Sequence, residues 1–298
     1  MTGRGGRTLA QAKINLSLRV LAKEPDGYHS IETVFLRLAL GDDVRLHVRA
    51  NARTLRCGVM RDNPEEQNLA YRAAALYSEE TGWPGGFEIV LKKRIPIGGG
   101  LGGGSADAAA VLRILNKLSQ KPLPKVALQQ LAARLGADVP FLTTDYVMAI
   151  GWGRGEKLLE LTPLPARDVQ LFFPPFGIDT GQAYALLDER GERHASTVPE
   201  LTAEMFRDWE SAARHSVNDF EAVIRPRWPA IDALLSRGDR YGLFYRMSGS
   251  GSTVFKIPGI TTDSSPATKK LPPLEVPEGT QRIVTRTADS VVPVEILD

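Results

Sequence analysis

At 298 residues the chain is too long for one small core, so two domains or one large one are expected. Hydrophobic residues make up 43% and charged residues 24%, a balance that excludes a disordered or membrane-embedded protein. Lys+Arg 37 against Asp+Glu 35 leaves a net charge of +2, too little for a dedicated nucleic-acid binder. One cysteine, Cys57, excludes an internal disulfide and a cysteine-based zinc site.

In chain order, the opening ten residues are too polar for a signal-peptide core, and the chain is expected to be cytoplasmic. Residues 12–21 alternate apolar and polar side chains as a half-buried strand does, and 33–40 and 44–48 repeat the pattern. Gly41-Asp42-Asp43 between them reads as a turn. Residues 69–80 are rich in helix formers and stop at Thr81-Gly82. A strand is expected over 87–92, then a helix over 105–118 with Ala108, Val111, Leu112 and Leu115 on its buried stripe. A second helix, 125–135, ends at Gly136. The pattern breaks at Gly-Trp-Gly-Arg-Gly-Glu, from Gly151 to Glu156, and a buried strand follows at 169–173. Helices are expected at 182–188, 210–223 and 231–235. Residues 243–257 contain a second glycine turn, from Ser248 to Ser252, and 258–277 read as loop before an edge strand at 283–287.

Of the 28 glycines, six fall in the seven residues from Gly98 to Gly104. Each costs roughly 0.5–1 kcal/mol relative to alanine in regular structure, and net domain stability is only about 5–15 kcal/mol. A flexible linker is a poor explanation, because Ile95-Pro96-Ile97 pins one side and a strong helix the other. The chemistry that rewards such a run is an anion cradle: unobstructed backbone N–H groups beside a helix N-terminus. Lys93 and Arg94 just upstream add positive charge. Phosphate binding follows. A Walker A loop is excluded because Ser105-Ala106 does not supply its Lys-Ser/Thr pair. Gly98, Gly100 and Gly103 satisfy the dinucleotide pattern, but residues 119–128 lack the acidic partner that such a site places about twenty residues on.

The stretch PIGGGLGGGSADAA from Pro96, following Lys92-Lys93-Arg94, resembles the phosphate-binding motif of the GHMP small-molecule kinases. Its doubled form is similar to that of the branch whose acceptor is a cytidine-diphosphate-linked methylerythritol. Further matches fall in the same order: AKINLSL from Ala12, DGYHSIETVF from Asp26, QNLAYRAA from Gln67, LGADVPF from Leu135, NDFE from Asn218 and SGSGSTVF from Ser248. Together they extend over roughly residues 9–257.

The resemblance implies an α+β, two-domain fold whose N-terminal half is like a ribosomal-protein domain, with an active site in the interdomain cleft. The division is expected as 1–155 for ATP binding and 156–298 for the second domain. It implies ATP and Mg²⁺ as cofactors, a small-molecule partner, and neither nucleic acid nor membrane. Asp138 matches the family's general base, against the alternative that it caps the helix at Val139-Pro140. Lys13 matches the lysine that would stabilise an alkoxide-like nucleophile. Asn68, Lys93, Pro96, Gly98, Gly99, Gly100, Leu101, Gly102, Gly103, Gly104 and Ser105 match nucleotide-side positions, Ser105 as helix cap, as phosphate contact or as both. His29 would hydrogen-bond cytosine and Tyr28 stack on it, with Tyr184 as the opposite wall; Thr180 and Asn15 match positions near the acceptor's polar groups.

The chain departs from the family pattern at Gln11, where Pro is usual, and at Ala106, where a second serine is usual. Asp107 places a negative charge near the phosphates, which requires it to turn away or meet a cation. Residues 258–277 stand where relatives more often have a helix. Two other readings remain open to the sequence: a related kinase with a smaller acceptor, such as mevalonate or homoserine, which Tyr28-His29 argues against, and an RNA-binding module, which near-neutral charge argues against.

Overall fold

Two long antiparallel strands, β1 (Gly5–Lys23) and β2 (His29–Arg49), form the spine of the molecule. The computed structural model describes residues 4–58, 64–191, 200–262 and 272–297. Along β1 the alternation of side chains places Ala12, Ile14 and Leu16 in the apolar core, while Lys13 and Asn15 point to the opposite, polar face. Bulges between Gln11 and Lys13, and between Asn15 and Ser17, re-aim that polar face.

The chain continues with β3 (Arg53–Cys57), helix α1 (Leu69–Thr81) and β4 (Gly86–Lys92). Helices α2 (Gly103–Leu118), α3 (Lys125–Ala133) and α4 (Val139–Thr143) precede a hairpin of β5 (Met148–Gly153) and β6 (Lys157–Glu160). Then come β7 (Asp168–Phe173), α5 (Thr180–Arg190), α6 (Trp209–His215), α7 (Glu221–Ile224) and α8 (Pro229–Tyr241). Strands β8 (Leu243–Met247), β9 (Val254–Thr261), β10 (Gln281–Arg286) and β11 (Glu295–Leu297) complete the chain.

The first sheet runs β11-β1-β2-β4-β3, with β5 pairing another part of β2 and β6 pairing β5. Helix α2 packs on β1 and β2, and α1 packs on α2; the alanines Ala108, Ala109 and Ala110 allow close approach. The second sheet runs β10-β7-β9-β8, all antiparallel, with α8 on β8. Among the described residues no helix is long and apolar enough to cross a membrane. Both β6 and β11 lie beyond residue 155 yet pair into the first sheet, so the sheets do not divide at 155/156.

Several local expectations are corrected. Gly41-Asp42-Asp43 is not a turn: it lies inside β2, opposite Leu9 to Gln11. Gly41 is needed there because a Cβ would lie 2.7 Å from the Ala10 carbonyl oxygen. The single helix expected over 210–223 is two, α6 and α7. The break at Ser216–Asp219 docks on β1, where Leu18 N–H donates to Val217 O (2.8 Å) and Asp219 N–H donates to Leu18 O (3.0 Å). The loop expected from 258 begins later, since β9 runs through Thr261; residues 263–271 lie outside the described residues. The edge strand expected at 283–287 is β10, which borders the second sheet.

Candidate active site

The glycine run connects β4 to α2, and three of its consecutive carbonyls are held by two segments, the turn at 248–253 and strand β1. Gly99 O accepts from Thr253 N (3.3 Å), Gly100 O from Ser248 Oγ (2.9 Å) and Leu101 O from Lys13 N (3.0 Å). In a trans peptide the N–H points opposite to the C=O of the same unit. The amides of Gly100, Leu101 and Gly102 are thereby each turned away from a pinned oxygen. Gly98, Gly100 and Gly102 have φ of 77°, 75° and 67°. At Gly100 a Cβ would lie 2.2 Å from Ser248 O, so that contact admits no side chain. Gly102 caps α2 in a left-handed conformation, with no side-chain cap bond. Ser105 therefore sits in the first turn and not at the cap. The Ser248–Ser252 turn that braces the loop is itself held by Asn218, whose Nδ2 donates to Met247 O (2.7 Å) and Gly249 O (2.9 Å).

Below the loop, Lys13 Nζ lies 3.2 Å from Asp138 Oδ2 and donates to Asn15 Oδ1 at 2.7 Å. Asn15 in turn donates to Thr33 Oγ1 (2.8 Å), and Thr33 donates to Ser17 O (2.7 Å), so the lysine is oriented by a buried chain of side chains. Asp138 precedes α4 with helical φ and ψ of −83° and −20° and makes no side-chain cap bond. The capping alternative for Asp138 is thus set aside. Arg37, buried on β2, holds the far end of α4 by donating to Phe141 O (2.9 Å), Thr144 O (2.8 Å) and Tyr146 O (2.7 Å).

Lys93 does not point into open space beside the loop. Its Nζ is buried between Asp42 Oδ2 (2.5 Å) and Asp107 Oδ2 (2.6 Å). Burial alone would lower the lysine's pKa, but the two carboxylates leave it raised. Asp42 Oδ1 also accepts from the amides of Arg94 (2.5 Å) and Ile95 (2.9 Å), fixing the approach to the glycines. Asp107 thus meets a cation. Its pKa is pushed up to about 7, mainly by burial and against the attraction of Lys93. Its Oδ1 has no hydrogen-bond partner among the described residues.

A cleft of about 1200 Å³ is lined by Tyr28, His29, Thr180, Tyr184, Arg154 and Asp188, among others. Four of the expected acceptor-side residues thus share one cavity. His29 Nε2 lies 2.8 Å from Asp188 Oδ1, whose other oxygen accepts from Lys23 Nζ at 2.8 Å. The Tyr184 ring stacks on His29 at 4.5 Å and 12°. Phe220 meets Tyr184 edge-on and fixes it there. Burial, then the charge of Asp138, raises the Tyr184 phenol to about 12. Thr180 Oγ1 is 3.0 Å from Ser250 Oγ, which ties the start of α5 to the bracing turn. Asn68 caps α1 by accepting from Ala70 N (2.9 Å).

Sequence reading missed Asp42, Asp188 and Arg154. Asp188 had a usable signal, because it lies four residues after Tyr184 and so on the same helical face. Asp42 was hidden by the mistaken turn.

Residues 68–145, which contain the glycine loop, α2 and Asp138, match the family model described as the GHMP kinases N terminal domain. The chain is a kinase of that class, and the homoserine kinase of Cytophaga hutchinsonii has its fold, with a TM-score of 0.67 at 17% identity over 98% of this chain and 97% of that one. A 4-diphosphocytidyl-2-C-methyl-D-erythritol kinase from Halorhodospira halophila is 38% identical over 88% of each chain. One from Pelotomaculum thermopropionicum is 39% identical over 86% of this chain and 88% of its own. A crystal structure of 4-(cytidine 5'-diphospho)-2C-methyl-D-erythritol kinase superposes with a TM-score of 0.69 at 36% identity, covering 85% of this chain and 90% of that one. The chain belongs to the 4-diphosphocytidyl-2-C-methyl-D-erythritol kinase family.

Proposed function

We propose that the protein transfers the γ-phosphoryl group of ATP to the 2-hydroxyl of 4-diphosphocytidyl-2-C-methyl-D-erythritol, a step of non-mevalonate isoprenoid precursor synthesis. The observation that carries this reading is the Lys13–Asp138 pair directly beneath the glycine loop, next to the cleft of Tyr28 and His29. The loop fits a triphosphate: its amides are turned outward by pinned carbonyls, and it opens onto the positive end of a sixteen-residue helix. Pro96, Gly98, Gly99, Gly103 and Gly104 complete that cradle, with Asn68 beside it. Lys93 acts on the nucleotide indirectly, through Asp42 and Asp107, by holding the loop's approach.

Phosphoryl transfer needs positioning and charge stabilisation more than covalent help from the protein. Asp138 takes the proton of the acceptor hydroxyl, whose oxygen attacks the γ-phosphorus as the bond to ADP breaks. Lys13, fixed by Asn15, stabilises negative charge on the attacking oxygen. The Ser105 hydroxyl would help hold magnesium together with the triphosphate, and the ion would supply neutralisation of phosphate charge. Tyr28 stacks on the cytosine and His29, held by Asp188 and backed by Tyr184, hydrogen-bonds it. Thr180 and Asn15 face the polar groups of the acceptor. The work would take place in the cytoplasm.

ADP release measured with and without the cytidyl acceptor tests the reading. Release that depends on that acceptor, and not on mevalonate or homoserine, is expected. Release indifferent to it would overturn the substrate assignment.

A further inference from the structure

The Gly151–Glu156 stretch, a break in the sequence pattern without a role so far, is the tip of the β5–β6 hairpin. Its turn is tight: Gly155 N donates to Trp152 O (3.1 Å) and Arg154 N to Glu156 Oε2 (2.7 Å). Gly153 and Gly155 have φ of 71° and 111°, which leaves Arg154 as the projecting side chain. It reaches the neighbouring tip, between β1 and β2. There Arg154 Nη2 donates to Glu24 Oε2 at 2.9 Å and also bonds Asp26. The guanidinium carbon lies 4.0 Å from the centre of the Tyr28 ring.

Tyr28 is 60% exposed and sits on a turn, so little else restrains its ring. A planar cation on one aromatic face attracts the ring quadrupole and removes rotational freedom from both groups. Glu24 is fixed in turn by Ser30, whose Oγ donates to Oε1 at 2.9 Å. The carboxylates hold the guanidinium, and the guanidinium holds one face of Tyr28, leaving the other face for a ligand. Stacking gains affinity when the platform is ordered beforehand.

We propose that Arg154 is a positioning residue for the acceptor's nucleobase, which backs Tyr28 so that its opposite face is presented as a fixed stacking platform. This rests on the reading above that Tyr28 stacks on cytosine. The alternative geometry, in which the base must displace Arg154 to reach Tyr28, predicts tighter CDP binding and a lower acceptor KM for Arg154→Ala.

The test compares Arg154→Ala and Arg154→Lys with the parent enzyme, by CDP titration and by steady-state kinetics. Arg154, Glu24 and Asp26 are each a third or more exposed, so these variants are expected to keep the parent's melting temperature. Arg154→Ala should raise the Kd for CDP and the KM for the cytidyl acceptor about 3–10-fold, with the KM for ATP and kcat within about twofold. Arg154→Lys keeps the charge but not the plane, and should recover only part of that loss. Glu24→Gln with Asp26→Asn should shift the Kd in the same direction. In a Tyr28→Ala background the effect of Arg154→Ala should vanish, which a purely structural arginine would not produce. Unchanged or tighter CDP binding by Arg154→Ala, or an undiminished effect without Tyr28, would overturn the proposal alone. Failure of the parent enzyme to bind CDP would overturn the cleft assignment and this proposal with it.

Discussion

Gly102 and Asp138 approach so closely that a Cβ at residue 102 would lie 3.2 Å from Asp138 Oδ2, and 3.1 Å from Lys13 Cε as well. The loop and the Lys13–Asp138 pair therefore share a wall one hydrogen atom thick. Gly102→Ala adds a methyl there and also strains a φ of 67°. A displacement of about 1 Å at reacting groups can cost ~10²-fold in rate, so turnover should fall by at least about tenfold. Gly98→Ala meets nothing within 4 Å. It should lose about 1–2 kcal/mol of stability from its left-handed backbone but keep more turnover than Gly102→Ala. Steady-state rates and thermal melts on the two variants check the contrast.

Asp138→Asn separates chemistry from structure. The carboxylate makes no cap bond, and an amide oxygen can still accept from Lys13. The melting temperature should hold while kcat falls by the ~10²–10⁴ expected for loss of a general base. A fully active Asn variant would exclude Asp138 as the base.

Asp107 gives the fold a pH dependence. Its pKa is raised from 3.8 to about 7, chiefly by burial, so the folded state holds the proton more tightly than the unfolded chain. Stability from this group is therefore full in acid, below about 4, and declines as pH rises through about 7. Asp107→Asn removes that decline. Relative to the parent, the variant should gain melting temperature between about pH 5 and 8; parallel profiles would show that Asp107 is not the source.

Arg37→Leu should be among the more destabilising single changes. It removes the guanidinium donor from the carbonyls of Thr144 and Tyr146, while Phe141 O keeps Thr144 N and Oγ1; each buried unpaired group costs about 1–3 kcal/mol. A loss of about 2 kcal/mol or more in denaturant unfolding is expected. Because the same bonds anchor α4 beside Asp138, kcat should fall under conditions where the variant is still folded.

The sequence made the glycine loop and its helix legible through local signals, residue type, spacing and helix formers, while the Lys13–Asp138 pairing came only from the resemblance of two distant motifs. What it concealed were long-range relationships. Gly41-Asp42-Asp43 has turn composition, yet the strand runs through it because Lys93 and two backbone amides, about fifty residues later, satisfy Asp42. Residues 210–223 have helical composition, yet the helix breaks where β1 competes for the backbone of Val217 and Asp219. The stacking of Tyr184 on His29 was not legible either, since Asp188 and Phe220 hold the two rings and neither is implied by the motif.

Strand β2 touches every part of the site in turn: His29 at the acceptor cleft, Thr33 at the Asn15 chain, Arg37 at α4 and Asp42 at the approach to the phosphate loop. At ~3.3 Å per residue, His29 and Asp42 stand up to about 40 Å apart along one hydrogen-bonded rod. On the proposed assignment of the site, the rod acts as a yardstick, fixing how far a nucleobase end can lie from a phosphate end. Inserting two residues between them would keep every side chain on its face but lengthen that span by roughly 6–7 Å. The reach of the enzyme is counted in strand residues.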